Sequence, residues 1–139
     1  MVAPTRLIAE ETLAVHPAAP LLARQMLDRL PIARTRRKDV ELMTSELVTN
    51  AVRHAGLGAD DTIRLNVGAD PNWVRVDVRE DGPGFKQAFH ARSSPGGWGL
   101  LIVSLLADRW GSTYRGGESC VWFEVGSPQP GGAPTGPRP

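Results

Sequence analysis

The stretch WVRVDVREDGPG, Trp73–Gly84, decides the fold. Its first half alternates. Val74, Val76 and Val78 fall on one side, and Arg75, Asp77 and Arg79 on the other, which is the period of a strand with one apolar face. The strand then meets a glycine-containing turn with two acids at the junction, Glu80 and Asp81. If the alternation holds, Glu80 shares the apolar face and Asp81 points to the other side. A carboxylate on an inward face is costly unless a group donates hydrogen bonds to it. An inward Glu80 therefore asks for a donor.

The neighbouring segments supply the rest of the architecture. TIRLNV places Ile63, Leu65 and Val67 on one face, and the intervening GADPN is turn material, so the two strands form a hairpin. RLIAEETLAV, Arg6–Val15, is a weaker first strand. PAAPLLARQMLDRL, Pro17–Leu30, fits a helix with its prolines near the start and an apolar stripe of Leu21, Leu22, Met26, Leu27 and Leu30. PIARTRRK reads as a connector, and a long helix runs from about Asp39 to Ala55, stopping at Gly56. GLLIVSLLADRW is a strongly apolar helix, and STYR, a Gly-Gly turn and SCVWFEV close the domain as a second hairpin. Strands alternate with helices, yet neighbours are joined by tight turns. The expected fold is a two-layer α/β sandwich: a mixed, mostly antiparallel sheet with helices on one face.

Bulk properties narrow the class. The chain has 139 residues and net charge +1, with 41% hydrophobic and 22% charged residues. That suits one domain, residues 1–126, followed by a Pro/Gly-rich tail, 127–139, expected to be disordered. The charge balance gives no field that would draw the chain to nucleic acid or membrane. The single Cys120 excludes an internal disulfide and a cysteine metal cluster. No apolar run reads as a signal peptide or a membrane span, so a cytoplasmic protein is expected.

Candidate chemistry sits at three places. On the long helix, Val40, Met43, Leu47, Val48, Ala51, Val52 and Ala55 make a broad apolar arc. Glu46 and Asn50, one turn apart, lie at its edge, with His54 a turn further on. Such a row is either a solvated rim or the wall of a cleft. In a cleft, Asn50 offers a hard oxygen to Mg²⁺, and Glu46 can orient or deprotonate a hydroxyl attacking a phosphoryl group. Two glycine clusters follow, DGPGF with Gly82 and Gly84, and PGGWGLLIV with Gly96, Gly97 and Gly99. The second opens into a helix, an arrangement that suits phosphate. Neither is a Walker A motif or a dinucleotide fingerprint. The loop between them carries Lys86, His90 and Arg92, and reads either as a lid with cations or as an ordinary surface loop. The run RTRRK before the long helix places cations where a helix dipole prefers acids. It reads as a solvated loop or as a patch for an acidic partner.

Taken in order, ELVTNAVRH, EDGPG and GGWGLLIV resemble the N, G1 and G2 boxes of the GHKL (Bergerat-fold) ATPases, over roughly Leu13 to Val125. The chain is most similar to their small anti-sigma-factor serine/threonine kinases. The resemblance implies ATP and Mg²⁺ as cofactors, held between sheet and helices under a lid. It implies Glu46 as catalytic base, Asn50 as Mg²⁺ ligand, and Gly82 and Gly84 beside the adenine. It also implies Gly97 and Gly99 at the phosphates, with Leu100 opening the next helix. Lys86 and Arg92 are lid cations within reach of phosphate. The implied partners are a sigma factor or a serine-bearing anti-sigma antagonist protein, and a homodimer is usual. One position departs from the pattern Asp-x-Gly-x-Gly: counting back from Gly82 places Glu80 where the adenine-reading Asp belongs, with Asp81 one residue late. The acid has shifted, or Glu stands in, or adenine recognition is damaged. A non-catalytic nucleotide-binding module that regulates a protein partner is the alternative function.

Overall fold

The structure is a computed structural model that describes residues 3–4, 7–54, 58, 60–81, 99–128 and 132–133. The elements, in chain order, are β1 (Ala3–Pro4), β2 (Leu7–Ala14), α1 (Ala19–Asp28), α2 (Arg34–His54), β3 (Thr62–Asp70) and β4 (Trp73–Glu80). They continue with α3 (Gly99–Leu106), β5 (Arg109–Arg115), β6 (Glu118–Gly126) and β7 (Gly132–Ala133). Five strands form one antiparallel sheet in the order β2-β3-β4-β6-β5. The expected two-layer sandwich is the observed one. α1 packs on β2, α2 on β4 and β6, and α3 on β5, with α2 between the other two helices. The tail from Ser127 lies largely outside the described residues. Its Gly132–Ala133 pairs in parallel with Ala3–Pro4.

Local chemistry sets the turns. The β3–β4 hairpin closes through Pro71 and Asn72 alone, because Gly68 and Ala69, expected in the turn, remain paired in β3. The Asp70 carboxylate accepts the Asn72 backbone N–H at 2.7 Å and locks the reversal. The β5–β6 hairpin turns through Gly116 and Gly117 at φ +58° and +80°. Two consecutive positive φ angles match the sheet's twist and are readily adopted by glycine.

The helices differ from the sequence expectation in instructive ways. α1 buries Ala19, Ala23, Met26 and Leu27, while Leu21 and Leu22 are exposed. Steps of three and four residues back from Met26 and Leu27 lead to Ala23 and Ala19, and small residues let the helix sit close to its neighbours. α2 begins at Arg34, not Asp39. The expected connector therefore forms the helix's first turn. Its run of cations opposes the helix dipole, and Arg37 offsets this by reaching back to the end of α1. The Arg37 guanidinium donates to the carbonyls of Leu27 at 2.7 Å, Leu30 at 2.8 Å and Ile32 at 3.2 Å. The Leu27 and Leu30 carbonyls also accept the backbone N–H groups of Leu30 at 3.1 Å and Ile32 at 2.8 Å, so Arg37 takes up the acceptor capacity that the helix end and its turn leave over. α3 ends at Leu106, and Arg109 and Trp110, expected in this helix, begin β5.

The core lies between the layers, where Val40, Met43, Leu47 and Val48 of α2 meet Leu65, Val67, Val76, Val78, Val121 and Phe123 of the sheet. The opposite sheet face carries charges and rings. Arg64, Glu118, Arg79, Asp77, Arg75, Glu124 and Arg109 form one continuous chain of ion pairs across four strands. The Arg75 guanidinium lies 4.4 Å from the Trp122 ring centre, and the Trp73 indole N–H donates to Glu124 at 2.9 Å. Gly111 leaves room for Trp122, since a Cβ there would lie 3.0 Å from its ring. Cys120 shares this face. Burial, with the Asp77 carboxylate adding to it, pushes its thiol up to about 11.

Candidate functional site

The register of the central strands shapes the site. At the end of the helix-facing side of the sheet, one row runs Ile63, Glu80, Ser119 across β3, β4 and β6. Hydrophobic residues fill the same face behind it: Leu65, Val78 and Val121 form the next row. Glu80 continues the alternation of Val74, Val76 and Val78 and is 1% exposed, whereas Asp81 just past the strand is exposed. The inward acid is therefore Glu80.

α2 brings its polar residues over this sheet. Asn50 is 3% exposed, and Glu46 one turn earlier is half-buried. Asn50 thus belongs to the interior rather than to a solvated rim. The apolar arc is as expected at Val40, Met43, Leu47, Val48 and Ala51, with Val52 half-buried. Ala55 lies outside the described residues. Gly99 is the first residue of α3, and the Leu100 side chain packs into the core. Gly82, Gly84, Lys86, Arg92 and Gly97 also lie outside the described residues, together with His90, Gly96 and Trp98.

Sequence reasoning did not single out Ser119 or Thr44. Both are fully buried, and their hydroxyls have no hydrogen-bond partner among the described residues. A buried hydroxyl left in this state costs free energy unless a ligand or water satisfies it. Ser119 stands directly opposite Glu80 in the β4–β6 ladder. A carboxylate beside a hydroxyl suits a ligand edge that combines an amine donor with a ring-nitrogen acceptor. The signal for Ser119 is the pairing of two strands 39 positions apart in register, Glu80 with Ser119. Alternation within either strand does not contain it.

With this geometry in hand, the comparisons are specific. The sequence profile of the histidine kinase-like ATPase domain family (HATPase_c_2) matches residues 9–125. The chain belongs to this family. As a histidine kinase-like ATPase domain it takes ATP as its ligand. Solved structures share the fold. One contains the RsbU and RsbW domains of Rv1364c from Mycobacterium tuberculosis, at 19% identity and TM-score 0.60, covering 84% of this chain and 31% of that one. Another is the Acinetobacter baumannii histidine kinase AdeS, at 16% identity and TM-score 0.51, covering 87% of this chain and 68% of that one. The chain therefore spans about a third of the length of the first. The search of curated proteins found no match. Among the described residues, no helix of this ATPase domain is long and apolar enough to cross a membrane.

Proposed function

We propose that this ATPase domain is a serine/threonine protein kinase of the anti-sigma-factor type, which phosphorylates a serine-bearing anti-sigma antagonist in the cytoplasm and thereby regulates transcription. The observation that carries the proposal is the pair of buried polar residues on facing layers, Asn50 on α2 and Glu80 on β4, with Glu46 at the border of the same helix. Glu80 accepts the adenine amino group, and Ser119 donates to the ring nitrogen beside it. Asn50 contributes a carboxamide oxygen to Mg²⁺, a hard cation that takes oxygen ligands and fills its remaining positions with phosphate oxygens and water. Mg-ATP, once bound, supplies the phosphoryl group. Glu46, half-buried, retains access to an incoming serine hydroxyl and orients it or takes its proton. Gly82, Gly84, Gly97 and Gly99 let backbone approach the nucleotide, and Lys86 and Arg92 neutralise phosphate charge. Asp81, exposed past the strand, has the lesser claim on adenine. A sigma factor is the expected second partner, and a homodimer the expected assembly.

Glu80 in place of the family's Asp favours a second reading, in which nucleotide binds without transfer and the domain regulates its partner by binding alone. The chain incubated with Mg-ATP and candidate serine-bearing antagonist proteins separates the two. Phosphate appearing on a partner serine supports the kinase, and tight ATP binding without transfer to any partner supports the binding module. Glu46→Ala is expected to abolish transfer and spare nucleotide binding, since a base acts on the chemical step. Loss of binding together with transfer refutes that role.

A further inference from the structure

The outer side of the helical layer, facing away from the sheet, carries a groove of about 390 Å³ between α1 and α2. It is lined by Arg24 from α1 and by Lys38, Glu41, Leu42 and Ser45 from α2. Leu42 is 43% exposed, and Leu21, one turn before Arg24 on α1, is 53% exposed. A leucine this open at a groove is an apolar contact without a cover. Glu41 also lines the groove, and one of its carboxyl oxygens is buried without a hydrogen-bond partner among the described residues. A hydrogen bond to Asp28, reinforced by burial and by the Asp28 charge, raises the Glu41 carboxyl above its ordinary range. Arg24 and Lys38 are exposed and form no ion pair among the described residues. Arg34, one turn before Lys38, is exposed as well. Arg36 and Arg37 of the same run are committed to backbone carbonyls. Arg24 and Lys38 therefore rim a partly apolar groove, with the Arg24 charge also acting on Glu41 in its wall.

We propose that the α1–α2 groove docks an acidic, leucine-bearing segment of a protein partner, with Arg24 and Lys38 pairing its carboxylates and Leu42 receiving its apolar side chain. Charge complementarity selects the occupant. A basic segment would meet Arg24, Lys38 and Arg34, and a wholly polar one would leave Leu42 uncovered. None of the residues assigned to the nucleotide site lines the groove, although Glu46 follows Leu42 by one turn of α2, so docking is measured without ATP. The groove provides a means to hold a partner while the nucleotide site holds ATP.

The test uses the full chain and two labelled synthetic helical peptides of equal length. Both carry leucines at helical spacing, one with glutamates between them and the other with lysines, and binding is followed by fluorescence anisotropy without nucleotide. The acidic peptide is expected to bind, to weaken as salt rises, and to lose about tenfold or more in affinity to Arg24→Glu/Lys38→Glu. That double variant is expected to accept the lysine peptide instead. Leu42→Ala is expected to weaken the acidic peptide without changing its salt dependence. Arg29→Glu, an exposed change whose side chain pairs with Glu11, is expected to leave binding as in the wild type. Circular dichroism checks folding, and Lys38→Ala alone replaces the double variant if that unfolds. Equal binding of both peptides, or acidic-peptide binding that survives the charge changes, overturns the proposal. So does a preference for single-stranded DNA or anionic vesicles over the acidic peptide with the same charge sensitivity. ATP titration of the same samples keeps failure of the groove distinct from failure of the nucleotide site.

Discussion

Replacing Glu80 by glutamine tests the reading of the site most directly. The side chain is 1% exposed, lies between Ile63 and Ser119 in the sheet row, and keeps its shape as an amide. What changes is the charge, and one of its two acceptor oxygens becomes an amine donor. If Glu80 accepts the adenine amino group, the substitution removes a charge-assisted hydrogen bond from a water-poor site. Such a bond contributes about 1.5–3 kcal/mol, so the Kd for ATP should rise roughly 10- to 150-fold. Asp81→Asn is the internal comparison. Asp81 is exposed past the end of β4, and its Kd should change by no more than about twofold. Isothermal titration with ATP and GTP measures both variants, and the selectivity for ATP over GTP should collapse only for Glu80→Gln. Thermal melting of the free protein accompanies it. A cooperative melt shows that the variant is folded, so that any lost affinity reports on the contact with ATP. Equal ATP affinity in Glu80→Gln and wild type, or a larger loss in Asp81→Asn, refutes the assignment.

Three further outcomes follow from other parts of the molecule. Asn50→Ala should remove the part of ATP affinity that depends on Mg²⁺, so that chelating the cation weakens the wild type but not the variant; a variant still sensitive to chelation shows that Asn50 is not the ligand. Arg37→Ala deletes three hydrogen bonds at the α1–α2 junction and should cost about 2–3 kcal/mol, with water compensating in part. Arg36→Ala deletes one exposed contact to the Pro71 carbonyl at 3.4 Å and should cost less than about 0.5 kcal/mol in the same urea titration. Comparable losses would show that Arg37 does not lock the junction. For Glu41, the raised pKa fixes a sign: the stability contributed by its bond to Asp28 is full below the ordinary carboxylate range and is lost as pH rises through the raised value. Glu41→Gln keeps an N–H donor toward Asp28 at every pH, so its stability relative to wild type should grow from acid to neutral pH. The gain should stay below about 1 kcal/mol because the pair is solvent-screened, and parallel pH–melting curves would count against the shared proton.

The parts of this fold that sequence made legible are those where one residue type repeats at a fixed period. The valines of β4, the apolar arc of α2 and the Gly116–Gly117 turn follow from local rules, and with them the inward direction of Glu80. Errors came where size outweighed spacing or where a distant partner changed the local preference. Leu21 and Leu22 looked like core because they are large, yet the buried face of α1 is chosen by Ala19 and Ala23. The cationic run from Arg34 to Lys38 reads as a connector because the carbonyls that satisfy Arg37 belong to a different helix and its turn. Ser119 could not be linked to Glu80 before the β4–β6 register was known. The charged sheet face was visible as polar alternation, but its closure into one chain of ion pairs depends on pairings across four strands.

Cys120 gives the domain a built-in clock. It is the only sulfhydryl in the chain, 3% exposed, and its thiol is held near 11. At neutral pH only about one molecule in ten thousand carries the reactive thiolate, and burial keeps reagent away until the structure around it moves. Alkylation of the native protein therefore counts excursions that uncover Cys120, by motion of the side chains over it or of β6, rather than collisions with the surface. A new cysteine at Ser45 would label fast against that nearly silent background, which makes single-site dye attachment at the groove possible without deleting the native one.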